Sequence, residues 1–380
     1  MTIYQTKVVE FSLKGYGVIR IPERGTYFLP GSCVGDEVKV EIPIHIKSYE
    51  KIIQYQVISP SMDRVTPDCP HQGINEGQCG GCPWMNVDYH LQLQSKFKRV
   101  EYALIKRGIP LSPNILKTII PSKNQLAYRN RTQLKTDGNK LGYVSEGTNT
   151  LVSIDQCLIL EEKLQKQLTL YKSKIPNIEW SPQDGYRWNF IEFDDDQLEV
   201  PLNIKRPFKQ GNSLQNIKMK EWLHQALKNL NKDHEILELF CGSGNLTEVA
   251  ALLNFKKIWA VENQSVGIEK LKNKNIKNVS VIEANLFLPK EWKKIETVAK
   301  DIKILLIDPP RDGLQEKGSL KTKFKALDYI ISISCDPESF ARDSMDFYKM
   351  GFEFIEIQPI DFFPHTPKVE IMSLLKRKNV

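Results

Sequence analysis

The chain lacks any long hydrophobic run. No stretch of about 18 apolar residues occurs in it, so no membrane-spanning helix is expected. Met1–Glu10 is polar and has no apolar core, so no secretory signal is read there. The seven cysteines are odd in number and scattered, which argues against a disulfide framework and for reduced thiols in a cytoplasmic protein. Internal repeats and low-complexity tracts are missing, and so is the G-x-G-x-x-G fingerprint of dinucleotide binding. Charge of one sign is only in mild excess. Lys and Arg total 53 against 46 Asp and Glu, a net +7 that suits a polyanionic partner but is common among ordinary enzymes. What is present is 41% hydrophobic residues over 380 positions, enough for two or three packed domains.

Residues 1–62 read as a small antiparallel β-barrel. The runs Val8–Phe11, Gly17–Ile21, Gly25–Phe28, Glu37–Pro43 and Lys51–Ile58 are rich in strand formers and punctuated by glycine. Bases and acids are mixed along them, so a plain solvated barrel is as well supported as a nucleic-acid-binding one. Residues 63–205 form a β-rich central domain. It opens with the cysteine loop Pro67–Pro83 and a helical stretch, Tyr89–Arg107. Two basic strands, Tyr128–Lys135 and Leu141–Tyr143, and a helix near Glu161–Lys174 follow. From residue 206 to 380 strand and helix alternate. After a helix at Ser213–Leu230 come apolar runs at Ile236–Phe240, Ile258–Val261, Val279–Ile282, Ile304–Ile307, Tyr329–Ile333 and Phe352–Ile357. That is a βαβ array, hence an α/β fold with a mostly parallel, doubly wound, Rossmann-like sheet.

Ligands of such sheets bind beyond the C-terminal ends of the strands, and several polar residues fall there. Phe240, Gly242 and Gly244 lie in a strand-to-helix turn that lets backbone approach a ligand. Glu262 ends the next strand, placed to accept two ribose hydroxyls, and Asn285 ends the third, placed to read an adenine edge. Adenosine without a pyrophosphate is what S-adenosylmethionine presents. Asp308-Pro309-Pro310-Arg311 fixes a carboxylate at the pocket rim. Cys335 ends a buried strand just before a helix start at Pro337, where a thiolate is favoured. Far upstream, Cys69, Cys79 and Cys82 gather three thiols within fourteen residues, with Cys157 as the preferred fourth. Zinc would accept four cysteines, or three with His71; an iron–sulfur cluster would take the four cysteines. Spacing alone does not choose.

Together these segments resemble the RNA 5-methyluridine (uracil-C5) methyltransferases, in particular the iron–sulfur-containing 23S rRNA branch. The resemblance rests on Cys69, Cys79, Cys82 and Cys157, on Tyr128-Arg129-Asn130-Arg131 and Leu141-Gly142-Tyr143, and on Phe208-Lys209-Gln210-Gly211-Asn212. It rests further on Asp308-Pro309-Pro310-Arg311, on Ser334-Cys335-Asp336-Pro337 and on Phe363-Pro364-His365-Thr366 with Val369-Glu370. It covers nearly the whole chain. Two features depart from it: Cys79 lies ten positions after Cys69 instead of six, and Gly211-Asn212 replaces a usual valine-asparagine.

The resemblance implies a TRAM-like barrel, a 4Fe–4S cluster on the four cysteines and a monomeric, cytoplasmic enzyme. It also implies S-adenosylmethionine as methyl donor, contacted by Gln210. Cys335 would add to C6 of uracil and Glu370, its pKa raised by Val369 and Ile371, would remove the C5 proton. Asp308 would bond the uracil edge or the donor beside it. The target base must be unpaired or flipped out, stacked on Phe363, with Arg129, Arg131 and Lys135 on flanking phosphates. Three alternatives are weighed: the same chemistry on tRNA, a cytosine-C5 methyltransferase, and a non-catalytic iron–sulfur RNA-binding protein. The cysteine loop argues against the first, the lack of a cysteine beside Pro309 against the second, and Cys335 with Glu370 against the third.

Overall fold

The computed structural model describes residues 2–43, 47–196, 200–316 and 318–378. The chain divides into two compact units. The first comprises Met1–Lys96, Lys123–Lys205 and Phe363–Pro367; the second comprises Phe97–Ser122, Arg206–Phe362 and Lys368–Val380. Among the described residues no helix is long and apolar enough to cross a membrane.

The first unit begins with six short strands: β1 (Thr2–Lys7), β2 (Glu10–Phe11), β3 (Gly17–Ile21), β4 (Gly25–Leu29), β5 (Glu37–Ile42) and β6 (Tyr55–Ser59). They form two antiparallel sheets, ordered β1-β5-β6 and β2-β3-β4. Strand β5 alternates strictly, so Val38, Val40 and Ile42 enter a core with Val8, Ile19, Tyr27 and Leu29. Strand β1 is absent from the sequence expectation. It is an edge strand with most side chains exposed, so its pairing with β5 leaves no apolar alternation to read.

Four further strands, β7 (Arg131–Thr136), β8 (Leu141–Val144), β9 (Leu151–Ser153) and β10 (Asn189–Asp194), make an antiparallel sheet ordered β10-β7-β8-β9. Helix α2 (Glu162–Lys172) lays Leu164, Leu168 and Tyr171 on Leu134, Ile191 and Phe193 of this sheet. Helix α1 (Tyr89–Lys106) precedes it in the chain, and the unit division falls within it.

The second unit is a seven-stranded sheet flanked by helices. Its strands are β11 (Glu235–Leu239), β12 (Lys257–Glu262), β13 (Val279–Glu283), β14 (Ile302–Ile307), β15 (Tyr329–Ser334), β16 (Phe352–Ile360) and β17 (Glu370–Arg377), in the order β13-β12-β11-β14-β15-β17-β16. The five strands from β13 to β15 run parallel, giving the expected α/β sheet. Strand β17 is an addition. It inserts antiparallel between β15 and β16, and EIMSLLKR is an apolar run too polar at its ends to have been read as a central strand. Helices α3 (Ser213–Lys228), α4 (Thr247–Leu252), α5 (Ser265–Asn273), α6 (Trp292–Val298), α7 (Gly318–Lys323) and α8 (Pro337–Lys349) connect the strands or lead into them. Successive side chains alternate between sheet faces. One face sends Leu237, Leu239, Leu305, Ile307, Ile330 and Ile371 into the main core.

Candidate active site

Parity along the strands decides what meets at the sheet edge. The β15–β17 register pairs Ser334 with Ile371. One step further places Cys335 opposite Glu370, and residues so paired share a face with Cβ atoms about 4.5–5.5 Å apart. On the other side β14 pairs Ile307 with Ser332, so Asp308 falls on that same face, one strand over. It is the face opposite the main core. A thiol and two carboxyls are thereby brought side by side at the crevice end of adjacent strands.

The sulfur is not sealed in the core, for Cys335 is only half-buried. Its thiol is nevertheless pushed up to about 12, by burial first and then by Glu370 and Asp308. These outweigh the thiolate preference expected at a helix N-terminus. Glu370 is 6% exposed. Burial pushes its carboxyl up to about 8, Asp308 adds to the rise, and Arg311 and Lys368 oppose it. Asp308 keeps some accessible surface at the rim. Its surroundings still desolvate it enough to push it up to about 7. Asp336, next to the thiol, caps α8 by accepting from Glu338 N at 3.1 Å and Ser339 N at 3.0 Å. Arg99 lies 3.4 Å from the Asp336 carboxylate.

The neighbouring strand ends carry the other predicted contacts. Gly242 has φ +55°, and a Cβ built there would meet nothing within 4 Å, so space is open above that turn. Gly244, at φ +89°, backs onto Leu271 instead: a Cβ would lie 2.5 Å from Cδ1. Phe240 adopts φ +62° and leans on Phe287 with ring centroids 5.9 Å apart. Glu262 accepts from Gly242 N at 2.9 Å, Asn263 N at 2.8 Å and Gln264 N at 2.9 Å, which fixes its carboxylate beside the turn. Asn285 accepts from Phe287 N at 3.0 Å and so closes a local turn. Gln210 is buried, two residues before Asn212, which caps α3 and donates to Phe362 O at 3.1 Å. Sequence reasoning missed Glu238. Buried at 1% exposure beside Thr247, it faces the same side of the sheet as Asp308, and burial pushes it up to about 8. An acid in the middle of the apolar strand EILEL was the available signal.

In the first unit, Cys69, Cys79, Cys82 and Cys157 line one cavity, with His71 and Tyr143 among the other walls. Burial raises the Cys79, Cys82 and Cys157 thiols, and each is raised further by other cysteines of the group. The sulfurs are not tightly packed. Among the described residues, no three cysteine sulfurs lie within 4.8 Å of one another. The ring of His71 is turned to the backbone, its Nε2 accepting from Asp155 N at 3.2 Å. The Tyr143 hydroxyl donates to Cys157 Sγ at 3.9 Å. The longer loop between Cys69 and Cys79 is pinned rather than loose. Gly77 N donates to Ser145 Oγ at 3.0 Å, and that hydroxyl donates to Gln78 O at 2.9 Å.

The family profile described as tRNA (Uracil-5-)-methyltransferase matches residues 195–378. An uncharacterised RNA methyltransferase of Nitrosomonas europaea is 41% identical, over 99% of this chain and 97% of its own. The chain belongs to the RNA (uracil-5)-methyltransferase family. A 23S rRNA (uracil(1939)-C(5))-methyltransferase of Francisella tularensis is 24% identical, over 99% of this chain and 97% of its own. The crystal structure of the Pyrococcus abyssi tRNA (uracil-54, C5)-methyltransferase, a complex with S-adenosyl-L-homocysteine, shares the fold. It has a TM-score of 0.72 at 20% identity and covers 98% of this chain and 100% of that one.

In this methyltransferase the residues expected to hold RNA have distinct surroundings. Arg131 pairs with Glu192 at 2.6 Å, both side chains nearly buried, so its charge is already matched. Arg129 donates from Nε to Arg131 O at 2.9 Å, and its charge acts on Cys82 and Cys157. The ammonium of Lys135 sits 5.0 Å from the centroid of the Phe190 ring. Phe363 packs on the apolar group of Met85, Tyr128 and Ile159, alongside Cys69, Cys82 and Cys157. Helix α1 grips the same loop: Lys96 Nζ donates to Phe363 O at 3.0 Å, and Gln92 Oε1 accepts from His365 N at 2.7 Å.

Proposed function

We propose that the enzyme methylates C5 of a uridine in ribosomal RNA through a covalent Cys335–C6 adduct, with S-adenosylmethionine as the methyl donor. The observation that carries this is the β15–β17 register, which ends at Ser334 and Ile371 and so leaves Cys335 beside Glu370, with Asp308 near enough to act on both. The donor supplies an electrophilic methyl group. Gln210, Phe240, the Gly242–Gly244 turn, Glu262 and Asn285 are its expected contacts. Cys335 gives up its thiol proton to solvent at the open rim, and as its sulfur adds to C6 the C5–C6 double bond opens and charge builds on C5 and O4. C5 then takes the methyl, and the donor leaves as the neutral thioether. Glu370, as carboxylate, accepts the C5 proton; the double bond re-forms and the thiolate departs. Asp308 hydrogen-bonds the reacting base or the donor. Arg129, Lys135 and Phe363 serve the RNA; Arg131, paired with Glu192, holds the sheet instead.

The cysteine centre fits a 4Fe–4S cluster held by Cys69, Cys79, Cys82 and Cys157. A single tetrahedral zinc would bring its sulfurs to about 3.8 Å of one another, whereas among the described residues no three cysteine sulfurs gather within 4.8 Å. The engaged Nε2 of His71 also speaks against a histidine ligand there. A centre of this kind is the reason to prefer ribosomal RNA over tRNA, given the likeness to the Francisella enzyme.

The test is the fate of the adduct. Glu370→Gln leaves addition and methyl transfer intact but removes the base, so an RNA–protein band stable to denaturing electrophoresis should accumulate. Cys335→Ala should form no such band and lose at least about a thousandfold in rate. Unchanged turnover by Cys335→Ala would overturn the covalent route.

A further inference from the structure

Three carboxyls and a thiol occupy one face of the sheet in the second unit, on neighbouring strands, and cations are few around them. Glu238 lies on β11, Asp308 follows β14, Cys335 follows β15 and Glu370 opens β17. The facing cations are Arg311 and Lys368 toward Glu370, and Lys274 toward Glu238. Asp336 also faces the thiol, but it is tied to Arg99 and to the cap of α8. Buried like charges on adjacent strands of one face resist ionising together, so near neutral pH the empty site is biased toward the thiol and toward carboxyls that keep part of their protons. A protonated Glu370 is no base and a thiol is no nucleophile, so something must change when substrates arrive.

Strand order says what. The predicted donor contacts, apart from Gln210 ahead of α3, lie at the ends of β13, β12 and β11, and the thiol that holds the target base follows β15. Strand β14, with Asp308 at its end, stands between them. A methyl group passing from donor to base must cross this position, which sets the sulfonium beside Asp308.

We propose that the site takes up the sulfonium donor in exchange for a proton from the Asp308–Glu370 pair, so that donor binding itself creates the carboxylate base. This rests on the donor assignment made above. The proton goes to solvent, and one fixed cation replaces it in the cavity. The product, S-adenosylhomocysteine, differs from the donor by lacking the sulfonium charge, so methyl transfer removes the cation, and the C5 proton that Glu370 accepts returns the carboxyl pair to its resting protonation.

Calorimetric titration in two buffers of different ionisation enthalpy, near neutral pH, tests this on the intact protein. S-adenosylmethionine should release about one proton more than S-adenosylhomocysteine. Its affinity relative to the product should rise up to about tenfold per pH unit below the carboxyl pKa values, then level off. Asp308→Asn and Glu370→Gln should each shrink the difference, while Cys335→Ala should leave most of it. Equal proton release by the two ligands in the unaltered enzyme, or a difference untouched by both carboxyl variants, overturns the proposal. Failure of both ligands to bind overturns the donor assignment, and this inference with it.

Discussion

A buried acid stabilises nothing by being ionisable, and Glu238 illustrates the cost. Its carboxyl stands at about 8 in the folded chain against 4.5 as an ordinary glutamate. Below the lower value both folded and unfolded states hold the proton, so no penalty arises. Between the two the unfolded chain ionises first, and stability falls as pH rises; above about 8 the slope ends. The full penalty is on the order of a few kcal/mol. Glu238→Gln should therefore gain more in melting temperature over the unaltered protein at pH 8 than at pH 5. An equal gap in thermal melts at both values would show that this carboxyl is not the strained group.

At the scale of elements, the crevice is built by helix capping and strand insertion. Asp336 closes the first turn of α8 immediately after the thiol. Asp336→Ala should cost about 1 kcal/mol of stability and lower the rate of adduct formation more than donor affinity, because it frees the segment carrying Cys335. Single-turnover kinetics set against donor binding would separate the two, and a loss in affinity alone would refute the capping role. Much of this was legible beforehand. The five parallel strands announced themselves as apolar runs with glycine, proline or acid at their C-terminal ends. The thiol at 335 and the acid at 308 were placed by that pattern alone. Strand β17 was not, because an antiparallel insertion leaves no βαβ signature and its first residue, Glu370, reads as a loop. Its register was the missing piece, since only pairing with β15 sets Glu370 opposite Cys335. Edge strand β1 was missed for the opposite reason, having too little buried surface to leave a pattern.

For the molecule as a whole, the expected cluster ligands and the reacting groups belong to different compact units. All four cysteines lie in the first unit. Cys335, Glu370 and every predicted donor contact lie in the second. The Cys69–Cys79 loop, although longer than the resemblance leads one to expect, is anchored through Ser145 and keeps all four thiols on one cavity. Protein purified without oxygen should therefore carry iron and acid-labile sulfide in equal amounts, and Cys82→Ser should lose both. Because thiolate–metal bonds form only in the folded site, their loss should also lower the melting temperature. Binding of S-adenosylhomocysteine should survive that substitution, since none of its expected contacts depends on the first unit's residues. Zinc in place of iron would refute the cluster. Loss of product binding together with the iron would instead mean that the cysteine centre supports the folding of both units, and not of its own alone.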